Sequence, residues 1–527
     1  MRLQRLSAAI ALLSTTLPSS LQSNGGDTCA DIAKAWTGAG TYFPADSALA
    51  CLKSVEFDET RAKDILDQLR LYFQFFAAQA YYTNLPAFSE VAPVDTNKTF
   101  DSVGERISTG YYKTHLDYDY ELMNFFASYR HSSVEYITAC SGAFLFRHEF
   151  PLFAVAPKDS TDSLTIHVVL DPYGDYGGPT LGPEVDTING QPVLDFLLSL
   201  INTLPDLNYF DPDARWNALF YHRSNGGARF GAFAQRLEYD DKEDSLAIKY
   251  KNGTQISVQW TAEVTDVVSG WGSETKLPWT DKASFLSEVC LRKPGPVTCD
   301  DFDETDPSNV LKRGLKVKRN SPDPPTTMWG YPTPEIQTQG QELCLYNYDS
   351  YSVLAISSFD PQPGNSQDAK AFVDGFQESL YQAIQSIQKQ DKSLGTKRKL
   401  LIDLSHNDGG RQILAHEAAR LLFPGADHFY LVNRRWSPAL HDLMTANFPA
   451  DYPSALNYRY YQNENGQDFS SASDLLGPLY HDNDYFTKYM QPNQEKVMDE
   501  LWGDKYVVPT DNYWSSEDII VVSFLLI

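Results

Sequence analysis

Two strand-length apolar runs, Ser352–Phe359 and Lys399–Leu404, each followed by a helical run, constrain this chain more than any other feature. The first helical run carries Phe372, Phe376, Leu380, Ile384 and Ile387 at three- and four-residue steps, which is one face of a helix. The second spans Gln412 to Phe423 and is closed by Pro424-Gly425. Strands joined through a helix run parallel, because a tight hairpin serves only antiparallel neighbours. The alternation therefore predicts an α/β layer. A last apolar run, Ile519 to Phe524, adds a strand.

Upstream, Ile65, Leu69, Tyr72, Phe73, Phe76 and Ala80 recur at helical spacing from Asp58 to Tyr81. They predict one long helix organising a mainly helical region, residues 24–149. Residues 150–267 carry the strand-like runs Leu164–Leu170 and Ile256–Trp260. Between them Gly182, Val185, Ile188, Asn189 and Gly190 lead into Val193–Leu200, which reads as a strand, an Asn-Gly turn and a helix. Residues 268–346 contain an acidic block (Asp300 to Asp306), the dibasic pairs Lys312-Arg313 and Lys318-Arg319, and a proline cluster, and are read as a linker.

The amino terminus predicts a signal peptide over 1–23: Arg2 and Arg5, then an apolar stretch Leu6–Leu17, then small residues. Six cysteines without a Cys-x-x-Cys pair fit an exported, disulfide-bonded protein. Short loops close most easily, so Cys29–Cys51 and Cys290–Cys299 are the expected pairings. Asn97 and Asn252 open glycosylation sequons. The formal charge of −26 opposes binding to nucleic acid or to an anionic membrane.

Elimination narrows the chemistry. His416-Glu417 lacks the second histidine of a His-Glu-x-x-His site, and the histidines do not cluster, so neither a metal nor a cofactor is expected. There is no Gly-x-Ser-x-Gly elbow and no phosphate loop. Two-carboxylate glycoside chemistry finds no acid pair that stands out. What remains is Leu400 to Gly410, where a strand ends in Asp403 and a loop with Asn407, Gly409 and Gly410 opens a helix. Taken alone this is an ordinary strand–helix turn. Its glycines would let a bound chain approach, and helix-start N–H groups favour developing negative charge.

This stretch resembles the L-I-I-D-L-x-x-N-x-G-G signature of tail-specific (S41) serine peptidases, and Gly182–Val193 resembles the V-x-x-I-N-G-x-x-V element of PDZ-like domains. The likeness runs to secreted fungal proteins related to the chlamydial protease-like group, some of them from biosynthetic clusters of ustiloxin- and phomopsin-type cyclic peptide mycotoxins. The resemblance implies a multidomain α+β protein with a helical N-terminal region, a PDZ-like domain (150–267) and an α/β peptidase core (347–527). It implies a Ser-His-Glu endopeptidase acting on a peptide or protein. The Asp403–Gly410 loop would then lie on the oxyanion side.

Two departures follow. The family's Asp-Gly-His segment corresponds to Ser128–Tyr136. Aligned on Val134 and Tyr136, the histidine slot holds Ser133, and His131, on the same side if the segment is a strand, becomes the candidate base. The family strand before the nucleophile matches Asp518–Val522, after which the chain reads Ser523-Phe524-Leu525-Leu526-Ile527. The expectation is a chain that stops short of nucleophile and acid and is inactive as it stands. The alternative is a non-catalytic, PDZ-like peptide binder.

Overall fold

The computed structural model describes residues 26–38, 40–156, 164–172, 179–224, 227–240, 245–265, 276–291, 331–361, 369–405, 407, 409–424, 431–446, 456–493 and 512–522. The expected signal peptide, residues 292–330 of the linker, Cys299, His406, Asp408 and Ser523 lie outside them.

The N-terminal region is built from α1 (Thr28–Ala35), α2 (Ala45–Lys53), α3 (Glu59–Tyr72), α4 (Gln79–Thr83), α5 (Thr96–Ser108) and α6 (His115–Ala127). Side-chain caps set their starts. Asp27, Asp58 and Asp95 each accept a first-turn N–H, and Thr114 with Asp117 forms a capping box on α6. The single helix expected over Asp58–Tyr81 is instead broken. After Tyr72 the chain tightens into a 3₁₀ turn, Phe73–Phe75, and Phe76 turns extended. Ala62 and Leu66 are buried, with Ile65, Leu69, Phe73 and Phe76 packed against their cluster, while Tyr72 is 71% exposed. The break lets Phe73 and Phe76 meet Tyr129, with ring centroids 5.9 and 5.4 Å away.

Strand β1 (Tyr42–Pro44) leaves this region to enter the same sheet as β2 (Phe144–Arg147). The next strands are β3 (Leu152–Val155), β4 (Thr165–Val169) and β5 (Leu181–Ile188). After α7 (Val193–Thr203) and α8 (Pro212–Ala218) come β6 (Gln235–Arg236), β7 (Ser245–Tyr250), β8 (Gln255–Gln259) and β9 (Thr261–Val264). They form one sheet in the order β1-β9-β2-β6 and a second in the order β8-β7-β5-β4-β3. Leu197, Leu200 and Ile201 of α7 share the core cluster with Val185 and Ile188 of β5. Cys29 pairs with Cys51 as expected. The Cys290–Cys299 expectation is corrected: Cys290 bonds Cys140, 150 residues away, because tertiary packing and not loop length brings them together.

The C-terminal sheet contains β10 (Ile336–Gln337), β11 (Leu343–Asn347), β12 (Tyr351–Ile356), β13 (Lys399–Asp403) and, last in the chain, β16 (Ile519–Val522), in the order β10-β11-β12-β13-β16. Strands β12, β13 and β16 are parallel, and β10–β11–β12 is an antiparallel run. Helix α9 (Ala369–Leu394) buries Phe372, Phe376, Leu380, Ile384 and Ile387 on the sheet together with α10 (Gln412–Leu422). A unit not anticipated from sequence spans 431–493. It has α11 (Pro438–Thr445), the hairpin β14 (Leu479–His481) and β15 (Asp484–Phe486), and its own core around Leu440, Met444, Leu475 and Met490. Its hairpin docks on the N-terminal region: Tyr81 Oη donates to Asp482 (2.8 Å), and Arg435, bound to Asp484 (2.6 Å), donates to Phe73 O and Gln74 O. Helix content, antiparallel sheets and the parallel core together give the mixed α+β architecture expected.

Candidate functional site

Asp403 ends β13 between two parallel neighbours, opposite Ala355 on β12 and Val522 on β16. Its Oδ1 accepts the Ser405 N–H (2.8 Å) and its Oδ2 accepts the Tyr331 hydroxyl (2.6 Å). Tyr331 stacks on Tyr346 at 4.4 Å, and burial together with this carboxylate raises its phenol pKa. Asn407 then staples the loop: its Nδ2 donates to Ile356 O at the end of β12 (2.9 Å), and its Oδ1 accepts the Gly409 N–H (2.7 Å). Phe359 N donates to Gly409 O, and Arg411 N to Phe359 O. Gly410, at φ +130°, lies so close to this strand that a Cβ would stand 2.5 Å from the Phe359 carbonyl carbon. Asn407, Gly409 and Gly410 thus gather against the chain at and beyond the end of β12, with Asp403 at the carboxyl end of the neighbouring parallel strand. The Gly409 amide is consumed inside the loop.

The five PDZ-like residues are architectural. Val185 and Ile188 are buried in the core. Asn189 (φ 50°) and Gly190 (φ 79°) form the expected tight turn, which requires left-handed backbone at both positions. Asn189 is bonded to Ala247 twice, through backbone and side chain: its N–H donates to Ala247 O, and its Oδ1 accepts the Ala247 N–H. Gly182 O accepts from His167 Nδ1 (3.0 Å), and the Gly182 backbone packs against Leu170.

The His131 segment is a turn, not the strand supposed from sequence. Arg130 adopts φ +49°, and Val134 N closes back on His131 O (2.8 Å). The reason is tertiary. The Asn208 side chain accepts the His131 N–H (2.9 Å) and donates to His131 O (2.8 Å) and Val134 O (2.7 Å). The Arg130 guanidinium donates to Asn202 O, Leu204 O and Leu207 O at the end of α7 and just after it. The His131 ring stands edge-on to Phe76 (6.2 Å) and Tyr82 (6.4 Å). Its Nδ1 accepts the Ser133 N–H (3.2 Å), and burial lowers its pKa. A catalytic base of the triad type has its Nδ1–H held by a carboxylate and leaves Nε2 as acceptor. Here Nδ1 is the acceptor, so the base role expected of His131 does not fit this arrangement. Asn208, Arg130 and Tyr331 were not foreseen. Each acts across 70 or more residues on a partner that no local pattern marks.

Asn97, in the first turn of α5, and Asn252, in the turn after β7, are both exposed. Among the described residues no group of three or more His, Cys, Asp or Glu side chains is placed to hold a metal ion. No helix among them is long and apolar enough to cross a membrane.

Residues 146–269 match the family model of the CPAF-like PDZ domain. Two curated relatives, both named Peptidase S41 family protein (phomP1′ and phomP1) and both from Diaporthe leptostromiformis, are 27% identical over 408 residues, which is 73% of this chain and 56% of each relative. The chain spans a little over half the length of the curated relatives it matches. Among solved structures, mature CPAF complexed with lactacystin aligns over 76% of this chain and 66% of its own length, at a TM-score of 0.40 and 14% identity. Mature CPAF by itself aligns over 75% and 63%, at a TM-score of 0.39. The two curated relatives bear out the resemblance to S41-family peptidase proteins, and the matched segment bears out the likeness to a CPAF-like PDZ domain.

Proposed function

We propose that this protein is a serine-type peptidase of the S41 kind, acting on peptide or protein chains. The observation that carries the reading is the Asp403–Gly410 loop. Asn407 holds the Gly409 N–H, Gly410 lies on Phe359 and Asp403 holds the Ser405 N–H, all at the carboxyl ends of parallel strands, the place where open α/β sheets bind ligands. They do so in a chain whose upstream part matches a CPAF-like PDZ domain. Backbone donors near such a loop would stabilise an oxyanion, and a serine acyl-enzyme would carry the hydrolysis. We place the protein in the secretory pathway, with glycans on Asn97 and Asn252, and take a peptide precursor of a ribosomal cyclic peptide as its substrate class. The expected leader and the two sequons support the secretory placing, and the sequence resemblance to S41 proteins of cyclic peptide mycotoxin clusters supports the substrate class.

A second reading, a non-catalytic peptide binder, is favoured by one observation: the Nδ1 of His131 faces a donor. Fluorophosphonate labelling of the protein purified from its native source separates the two. A labelled serine together with peptide hydrolysis supports the peptidase. Peptide binding by unlabelled, hydrolytically silent protein supports the binder and rejects the peptidase.

A further inference from the structure

We infer that His131 is a neutral hydrogen-bond donor, presenting Nε2–H to an amide carbonyl oxygen of a bound polypeptide, and not a general base. Resting on the peptide-directed reading above, this assigns the residue a binding role. An imidazole nitrogen that accepts a hydrogen bond carries no proton, so the Ser133 N–H on Nδ1 puts the single ring proton of neutral His131 on Nε2. Turning the ring to reverse this would leave the Ser133 N–H without its acceptor. The edge-on contacts with Phe76 and Tyr82 oppose such a rotation. The backbone cannot easily move instead. Asn208 holds His131 N–H, His131 O and Val134 O, and Arg130 is anchored on three carbonyls of the 202–207 segment. Burial disfavours the imidazolium, which keeps the ring neutral.

What remains for a ligand is one N–H on a half-buried ring, with no partner for Nε2 among the described residues. A neutral donor of this kind pairs well with a neutral amide carbonyl. The loop that carries it is tied through Arg130 to the end of α7, the helix of the PDZ-like domain, and so stands beside that domain. Asn208 and Arg130 are positioning residues in this scheme.

The test uses the full chain labelled with ¹⁵N-histidine, with the His131 signal assigned by its loss in His131→Gln. The result expected is the Nε2–H tautomer, uncharged at pH 7. An Nδ1–H tautomer, or an imidazolium at pH 7, overturns the proposal. Binding of tryptic casein peptides follows. His131→Gln, which keeps an N–H donor, should stay within about 3-fold of wild type, and His131→Leu should weaken binding about 10-fold, as expected for one neutral hydrogen bond. Equal affinity of all three proteins, or no binding by wild type, also overturns it. Failure of the peptidase reading shows as absent fluorophosphonate labelling and leaves the tautomer unchanged, so the two failures are distinct.

Discussion

The Asp403–Gly410 loop and the Arg130–Val134 turn are both short polar segments beside a core, yet they are held by opposite means. In the first, the glycines and Asn407 are held by the loop itself and by the chain at and just beyond the neighbouring strand: Asn407 bonds Gly409 and Ile356, and Gly410 lies on Phe359, while Tyr331 reaches only Asp403 at the strand end. In the second, the staples come from a distant segment, through Asn208 and the carbonyls that Arg130 reaches. A locally held loop writes its requirements into neighbouring residues as glycines and a single asparagine. A remotely held turn leaves no such mark.

The largest effect expected is at Gly410. Alanine there would place Cβ 2.5 Å from backbone at a φ of +130°, and should cost about 3 kcal/mol or more, or prevent folding. Urea unfolding reads it; a loss below 1 kcal/mol would mean that the loop is not tightly packed against Phe359. Next is Asn208→Ala, which strips three hydrogen bonds from the turn and should cost about 2–3 kcal/mol. The same substitution should leave the Asp403 loop intact.

Asp119 sharpens the comparison by pH. It accepts from Thr138 (2.7 Å) and Tyr136 (3.4 Å) on the strap that follows the His131 turn, and it stands 3.9 Å from His115. Burial pushes the Asp119 carboxyl up to about 6 and the His115 imidazole down to about 4. As pH falls through about 6 the folded state takes up the Asp119 proton before the unfolded chain does, which favours folding. As pH falls below the ordinary histidine value the unfolded chain protonates first at His115, which favours unfolding, and this effect is complete near pH 4. The two oppose one another between pH 6 and 4. Asp119→Asn removes only the first, so the variant should lose about 1–2 kcal/mol more than wild type on going from pH 6.5 to 4, measured by urea midpoints. Parallel pH profiles would show that the pair does not titrate as placed.

The smallest effect belongs to Gly190. Alanine there meets open space, with only the left-handed φ of 79° against it, and should cost about 1 kcal/mol. A loss as large as that at Gly410 would erase the distinction between strain and steric overlap.

The parallel core was legible because its strands are continuous apolar runs and α9 repeats its buried face without interruption from Phe372 to Ile387. The Asn189-Gly190 turn was legible because only a few residue pairs accept its backbone. The break after Tyr72 was not, since Phe73 and Phe76 satisfy a helical stripe equally well and only the Tyr129 contacts choose otherwise. Nor was the 431–493 unit: its buried residues are few and far apart, from Leu440 to Met490. The candidate site divides in the same way. Asp403, Asn407, Gly409 and Gly410 were visible as a motif. The true setting of His131 was hidden, because Asn208 lies 77 residues from it.

Amide hydrogen exchange of wild type and Asn208→Ala, followed peptide by peptide, tests most directly the claim that the two segments are held independently. The account predicts that residues 130–134 lose protection in the variant while 403–411 exchange as in wild type. Loss of protection in both segments together, or in neither, would contradict it.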